Sequence, residues 1–205
     1  MSSHVISGSL IDRATAVSPF AGAFGIASVA FGVALTAAAA QFTMPVPFTA
    51  VPFALTPMAV LLAGAALGAR RGAASQVAYL AAGIIGVQVF APSVALPPGA
   101  ARLLGPTGGF LVAYPLAAFV TGWLAERGWD RRYVTSALAM LAGLAVIYTG
   151  GALWYTATVS HSLSATLTTS VLPFAGFDIA KILAAAAILP GAWRIMGVKY
   201  ASKNQ

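Results

Sequence analysis

Long apolar stretches separated by short polar turns dominate this chain. Runs rich in Ala, Leu, Val and Gly extend from about Phe20 to Ala40, Leu55 to Ala69, Gly72 to Ala91, Thr107 to Ala125, Tyr133 to Tyr155 and Phe174 to Met196. None shows the alternation over about ten residues that marks a barrel strand. In hydrocarbon every backbone N–H and C=O must be bonded internally, and about 20 apolar residues cross the bilayer as a helix. The six runs therefore predict an all-α integral membrane protein of six transmembrane helices. The run at Phe20–Ala40 is longer than the apolar stretch of a cleavable signal peptide, about 7–15 residues, and its lead-in, with Asp12 and Arg13, is neutral. It is read as the first membrane helix.

Punctuation between the runs adds detail. Met44-Pro45-Val46-Pro47-Phe48-Thr49-Ala50-Val51-Pro52-Phe53 repeats Val-Pro-Phe, and prolines this close together forbid a regular helix. The run after it is short for a span, so part of this segment is expected at membrane depth, sheltered by protein. Pro57 is tolerated in a first helical turn, and Pro115 predicts a kink. Arg70-Arg71 is expected to form a tight polar turn, Pro92–Pro106 an outer loop, and the Ser/Thr-rich stretch through Ser170 a second loop. With neither a long repeat nor a linker, residues 1–205 read as a single membrane domain.

Composition sharpens the class. Hydrophobic residues make up 60% and charged residues 7%, whereas a soluble domain carries about 25% charged residues. The net charge of +7 could suggest nucleic acid, but no basic cluster is interleaved with aromatics, so no nucleic-acid partner is expected. The charges instead report topology. With the N-terminus in the cytoplasm, Arg13, Arg70, Arg71, Arg127, Arg131, Arg132, Arg194, Lys199 and Lys203 all fall inside, as does the C-terminus. Asp12, Glu126 and Asp130 join them. Cysteine is absent and His4 and His161 are the only histidines, so no metal site is expected.

Three charges are left without a topological reason: Arg102 in the outer loop, and Asp178 and Lys181 on one face of the last helix. Exposing either of the last two to lipid costs a few kcal/mol, so both must face the bundle interior or a wet cavity. Two readings stand: a mutual salt bridge that tolerates burial, or a polar anchor for a solute. With Arg102 the set suits a ligand bearing a carboxylate at one end and N–H donors elsewhere. Thr107, within Gly105-Pro106-Thr107-Gly108-Gly109, is placed to cap the fourth helix, and the glycines allow close backbone approach. The segment lacks a nucleotide-binding spacing. Phe53, Trp154 and Tyr155 fall near the outer interface, where aromatics form a belt or wall a pocket. Ser160, His161 and Ser162 have no fixed acid partner, so no catalytic set is present. Ala30, Ala34 and Ala38, below Ala23 and Ala27, form a small-residue stripe that packs against either a neighbouring helix or a separate protein. Nothing in the chain resembles an ATPase, so powered uptake needs partners. A small-solute transporter acting alone is the competing reading, although no inverted repeat is visible.

The ordered set of motifs resembles the BioY family, the biotin-binding S components of energy-coupling-factor (ECF) vitamin transporters. It comprises Pro45-Val46-Pro47-Phe48-Thr49, Val60-Leu61-Leu62-Ala63-Gly64, Gly68-Ala69-Arg70-Arg71-Gly72, Val89-Phe90-Ala91, Leu104-Gly105-Pro106-Thr107-Gly108-Gly109, Leu124-Ala125-Glu126-Arg127-Gly128 and Asp178-Ile179-Ala180-Lys181. The chain departs from the family pattern at Leu55-Thr56-Pro57, at Phe110 and in the Ala/Pro-rich 92–101 stretch. The resemblance implies a six-helix S component in a prokaryotic plasma membrane, with a biotin pocket open to the outside and roles for Asp178 and Lys181. It also implies a first-helix face for the ECF transmembrane subunit, which carries two ATPases. Biotin's ureido N–H groups suit Asp178, and its carboxylate suits Arg102 or Lys181. Phe53, Thr107 and Tyr155 complete the expected substrate-binding set; Ala30, Ala34 and Ala38 form the expected partner face. No cofactor is expected.

Overall fold

The computed structural model describes residues 21–44, 46, 51–93 and 97–195. The expected positions of Arg13, Lys199 and Lys203 and most of the Pro-rich motif lie outside the described residues.

Helix α1 (Ala21–Gln41) opens the chain. It leads into a two-residue ladder in which β1 (Thr43–Met44) pairs antiparallel with β2 (Phe53–Ala54), Thr43 opposite Ala54. Pro52 directly precedes β2 in this hairpin. Helix α2 (Thr56–Leu67) follows, with proline in its first turn, and then α3 (Ala69–Ile84). Twelve residues of α2 rise about 18 Å, well short of a hydrocarbon core of about 30 Å.

The expected turn at Arg70-Arg71 is corrected. Both arginines lie inside the first turn of α3, and the reversal is made one step earlier by Gly68, whose φ of 84° and ψ of 174° suit a residue without Cβ. The two helices cross so closely that a Cβ on Gly72 would stand 2.7 Å from Gly64 Cα. From far along the chain, Glu126 Oε1 accepts the Ala69 N–H at 2.8 Å, capping α3 from outside it.

Helix α3 ends at Ile84 rather than running to Ala91, because Gly86 takes a φ of 99° and the chain turns there. A short helix α4 (Ala101–Leu104) breaks the expected outer loop. Helix α5 (Gly108–Glu126), containing Pro115, and helix α6 (Tyr133–Tyr155) form the central pair, joined through a 3-10 turn at Trp129–Arg131.

The second expected loop is also corrected. Residues after Tyr155 continue through a π-helical turn (Thr156–Ser160), break at His161, and re-form as α7 (Leu163–Thr166), a second π-turn (Leu167–Val171), α8 (Leu172–Ala185) and α9 (Ile188–Ile195). The Ser and Thr side chains that suggested a loop bond back along the helix instead: Thr169 Oγ1 donates to Ala165 O and Ser170 Oγ to Thr166 O. Four helices among the described residues are long and apolar enough to cross a membrane: Ala23–Gln41, Gly108–Glu126, Tyr133–Ser160 and Leu163–Arg194. Val60, Leu61, Met140, Leu144, Ile147 and Ile182 fill the centre where α2, α5, α6 and α8 meet.

Candidate functional site

A cavity with about 720 Å³ of empty space, its mouth included, lies at the end of the bundle away from Arg70, Glu126 and Asp130. The starts of α2 (Thr56, Pro57) and α5 (Thr107, Phe110, Leu111) border it, as do the late turns of α3 (Tyr79) and α6 (Ile147, Tyr148). Phe174 and Asp178 of α8 close one side, and Val51, Pro52 and Ala54 of the hairpin another. Phe90, Phe110 and Phe174 give it buried aromatic walls. Tyr79 sets its ring edge-on to Phe90 at 5.5 Å and donates its hydroxyl to Val89 O at 3.1 Å.

Asp178 is 6% exposed and both its oxygens are engaged. Oδ1 forms an ion pair with Lys181, one turn along α8, and Oδ2 accepts the Tyr148 hydroxyl at 2.6 Å. Lys181 faces behind the wall: its Nζ donates to Ala54 O at 2.7 Å and lies 4.1 Å from the Phe53 ring centre. Lys181 and Phe53 therefore support the wall from outside, and neither lines the cavity. Phe53 packs edge-on against Phe177 at 5.5 Å.

Across the cavity, Arg102 is 5% exposed and is aimed by backbone carbonyls, Nε to Pro97 O at 2.8 Å and one Nη to Ala91 O at 3.0 Å. Among the described residues no carboxylate pairs with it. Phe90, Ala91 and Arg102 also line an adjoining cavity bordered by Gly86, Pro92 and Gly99, so Arg102 stands in the partition between the two spaces.

Thr107 occupies the position before α5, but its hydroxyl makes no cap. Its Oγ1 is buried without a hydrogen-bond partner and its side chain borders the cavity. The glycines beside it admit Trp154: a Cβ on Gly109 would overlap the Trp154 side chain, and Trp154 Nε1 donates to Gly105 O at 3.0 Å. Trp154 is thus a clamp on the α5 start. Tyr155 is buried but lies outside the cavity wall.

Of the expected residues, the structure brings Asp178, Arg102 and Thr107 to one space and holds Lys181 and Phe53 directly behind it. The sequence reasoning missed Tyr79, Tyr114, Tyr148 and Ser170, which supply further polar groups. What would have found Tyr148 is its position about two helical turns below the outer end of α6, too deep for a belt residue.

On α1, Ser28, Gly32, Thr36 and Ala40 are buried, while Ala30, Ala34 and Ala38 face away from the bundle with Ala23 and Ala27. The inner stripe meets α3, where Gln76 Nε2 donates to Thr36 Oγ1 at 3.1 Å. Among the described residues, nothing covers the outer stripe.

A profile described as the BioY family matches residues 13–198. A probable biotin transporter BioY of Pyrococcus horikoshii is 39% identical over 163 residues, 80% of this chain and 92% of the relative. The biotin transporter BioY of Thermotoga maritima is 35% identical over 143 residues, 70% of this chain and 81% of the relative. The fold matches a crystal structure of the S-component for biotin from an ECF-type ABC transporter with a TM-score of 0.77 and 25% identity, covering 89% of this chain and 96% of that one.

Proposed function

Because the chain belongs to the BioY family, a family of transport proteins and not of enzymes, we propose that it is the substrate-binding component of a biotin-uptake system. It binds biotin from the outside and delivers it through an ATP-driven complex with an ECF transmembrane subunit and two ATPase subunits. The observation that carries this reading is the pairing of opposite, unequal ends in one aromatic-walled cavity: an ion-paired carboxylate, Asp178, and a guanidinium, Arg102, with no acid beside it among the described residues.

Biotin fits that polarity. Its fused rings lie among Phe90, Phe110 and Phe174, and its ureido N–H groups donate to Asp178, whose remaining lone pairs face the cavity. Its carboxylate goes to Arg102, because Lys181 is already committed to Asp178 and Ala54 O. The positive ends of α2 and α5 also border the cavity and favour the anion. Thr107 Oγ1, left without a partner, supplies a further polar contact.

We read the topology as six membrane-crossing segments in one domain: α1, α2, α3, α5, α6 and the α7–α9 rod, with both termini cytoplasmic in a prokaryotic plasma membrane. Support comes from Arg70, Arg71, Arg127, Arg131 and Arg132, which share the end opposite the cavity. The outward stripe of Ala30, Ala34 and Ala38 is the face offered to the ECF transmembrane subunit.

Calorimetry on the detergent-purified protein tests the core of this reading. Saturable heat with biotin, without ATP, is expected. No heat with biotin together with saturable heat from another vitamin overturns it.

A further inference from the structure

At the end of the bundle opposite the cavity, a surface groove runs between the Gly68 elbow and α5, lined by Leu67, Arg70, Arg71, Phe119, Trp123 and Glu126. Guanidinium groups stand at its head over an aromatic floor, the arrangement of a membrane–water interface. Arg127 adds to the head: its guanidinium carbon lies 3.3 Å from the Trp123 ring centre and one Nη donates to Trp123 O at 3.0 Å. That stacking holds the charge over the indole rather than letting it drift into water. Glu126 Oε1 accepts the Ala69 N–H at 2.8 Å, so its carboxylate is held at the α3 start, and the groove sets three guanidiniums against this one carboxylate. Below the head, Val112, Leu116, Phe119 and Trp123 are exposed along one face of α5, a stripe of apolar side chains continuing toward the bilayer centre.

We propose that this groove binds the headgroup of an anionic phospholipid, with the phosphate at Arg70, Arg71 and Arg127 and an acyl chain along Leu116 and Val112. Charge complementarity selects the headgroup, since planar guanidinium forks match phosphate oxygens. The apolar stripe selects a lipid over a soluble anion. The bound lipid braces the elbow where α2, α3 and α5 meet, at Gly64, Gly72 and Gly122.

The test uses the full chain, delipidated in detergent, with phosphatidylglycerol, phosphatidylcholine of the same acyl chains, and glycerol 3-phosphate as probes. Native mass spectrometry reads retained lipid and thermal unfolding reads stabilisation. Expected is saturable retention of phosphatidylglycerol with a raised unfolding midpoint, at least about tenfold weaker retention of phosphatidylcholine, and no effect of glycerol 3-phosphate. Arg70→Gln with Arg127→Gln abolishes the preference and leaves biotin binding unchanged; Arg132→Gln, an exposed base at the same end, leaves both unchanged. Equal retention of the two lipids overturns the proposal. So does an Arg132→Gln effect as large as the double variant's, which would mean diffuse attraction. Stabilisation by glycerol 3-phosphate alone would make the groove a soluble-anion site and overturn it as well. Should the double variant lose biotin binding, Arg70→Gln alone decides: undiminished phosphatidylglycerol retention sinks the idea.

Discussion

Tyr148 donates its hydroxyl to Asp178 Oδ2 at 2.6 Å, joining α6 to α8 across the cavity wall. The bond leaves Asp178 an acceptor whose geometry is fixed before any ligand arrives. Loss of a hydrogen bond to a charged group costs about 1.5–3 kcal/mol. Tyr148→Phe is therefore expected to weaken biotin binding by about 10- to 100-fold while the protein still purifies folded. Asp178→Asn is expected to weaken it further, because Lys181 then loses its partner, a cost of about 3–5 kcal/mol when a buried pair is broken. A folded Asp178→Asn protein with wild-type affinity would show that Asp178 only braces α8.

Arg102 is assigned to the biotin carboxylate, and a ligand lacking that charge separates this role from general damage. Arg102→Ala should cost about 2–5 kcal/mol of affinity for biotin but little for biotin amide. Arg102→Lys keeps the charge and loses the fork that now reaches Pro97 O and Ala91 O, so recovery should be partial. Equal losses for acid and amide would place the carboxylate elsewhere.

Two nearby positions on α1 should behave oppositely. Ala34 faces outward, so Ala34→Trp leaves biotin binding intact and abolishes co-purification with ECF subunits and ATP-driven uptake. Gly32 faces inward, where an added Cβ would stand 2.7 Å from Ser75 Cβ and 2.9 Å from Leu67 Cδ1. Gly32→Leu should therefore lower thermal stability and biotin binding together. Loss of biotin binding in Ala34→Trp, measured on folded protein, would make the outer stripe an internal packing face.

At the opposite end, Asp130 is 1% exposed and accepts the Trp193 Nε1–H at 2.6 Å. Burial pushes its carboxyl from 3.8 up to about 6, against the opposing pull of the Trp193 bond and the Arg131 charge. A carboxyl whose folded pKa is raised favours folding below its unfolded pKa, and that contribution is lost as pH rises through about 6. The difference corresponds to about 3 kcal/mol. Thermal unfolding in detergent should show this contribution as stability gained as pH falls from about 6.5 to about 4, and Asp130→Asn should remove that gain while keeping an acceptor for Trp193. An unchanged gain in Asp130→Asn would assign the dependence to another group.

Much of this was legible in the sequence because lipid makes charge expensive. Asp178, Arg102 and Lys181 stood out since topology did not need them, and their neighbourhood followed. Tyr79, Tyr114 and Tyr148 did not stand out, since a membrane tyrosine carries no formal charge and resembles a belt residue until its depth is known. Tyr155, one residue beyond Trp154, went the other way: chosen for its interface position, it turned away from the cavity. Leu163–Ser170 looked like a loop because hydroxyls usually compete with helix formation, whereas here they bond back to carbonyls of the preceding turn. The Gly68 reversal was hidden behind Arg70-Arg71, a pair that marks the end of the bundle but not the residue at which the chain turns.

Lys181 holds Asp178 with one side of its ammonium and Ala54 O with another, bridging 127 residues of chain. The hairpin around Ala54 forms part of the cavity wall, so the bond from Lys181 fixes that wall as well as the carboxylate. Truncating Lys181 therefore inflicts two injuries at once, removing the counter-charge of Asp178, which keeps only the Tyr148 hydroxyl, and the donor to the Ala54 carbonyl. A severe phenotype at this position would measure how two distant parts of the chain are stitched together, and would say little about whether the ammonium ever touches biotin.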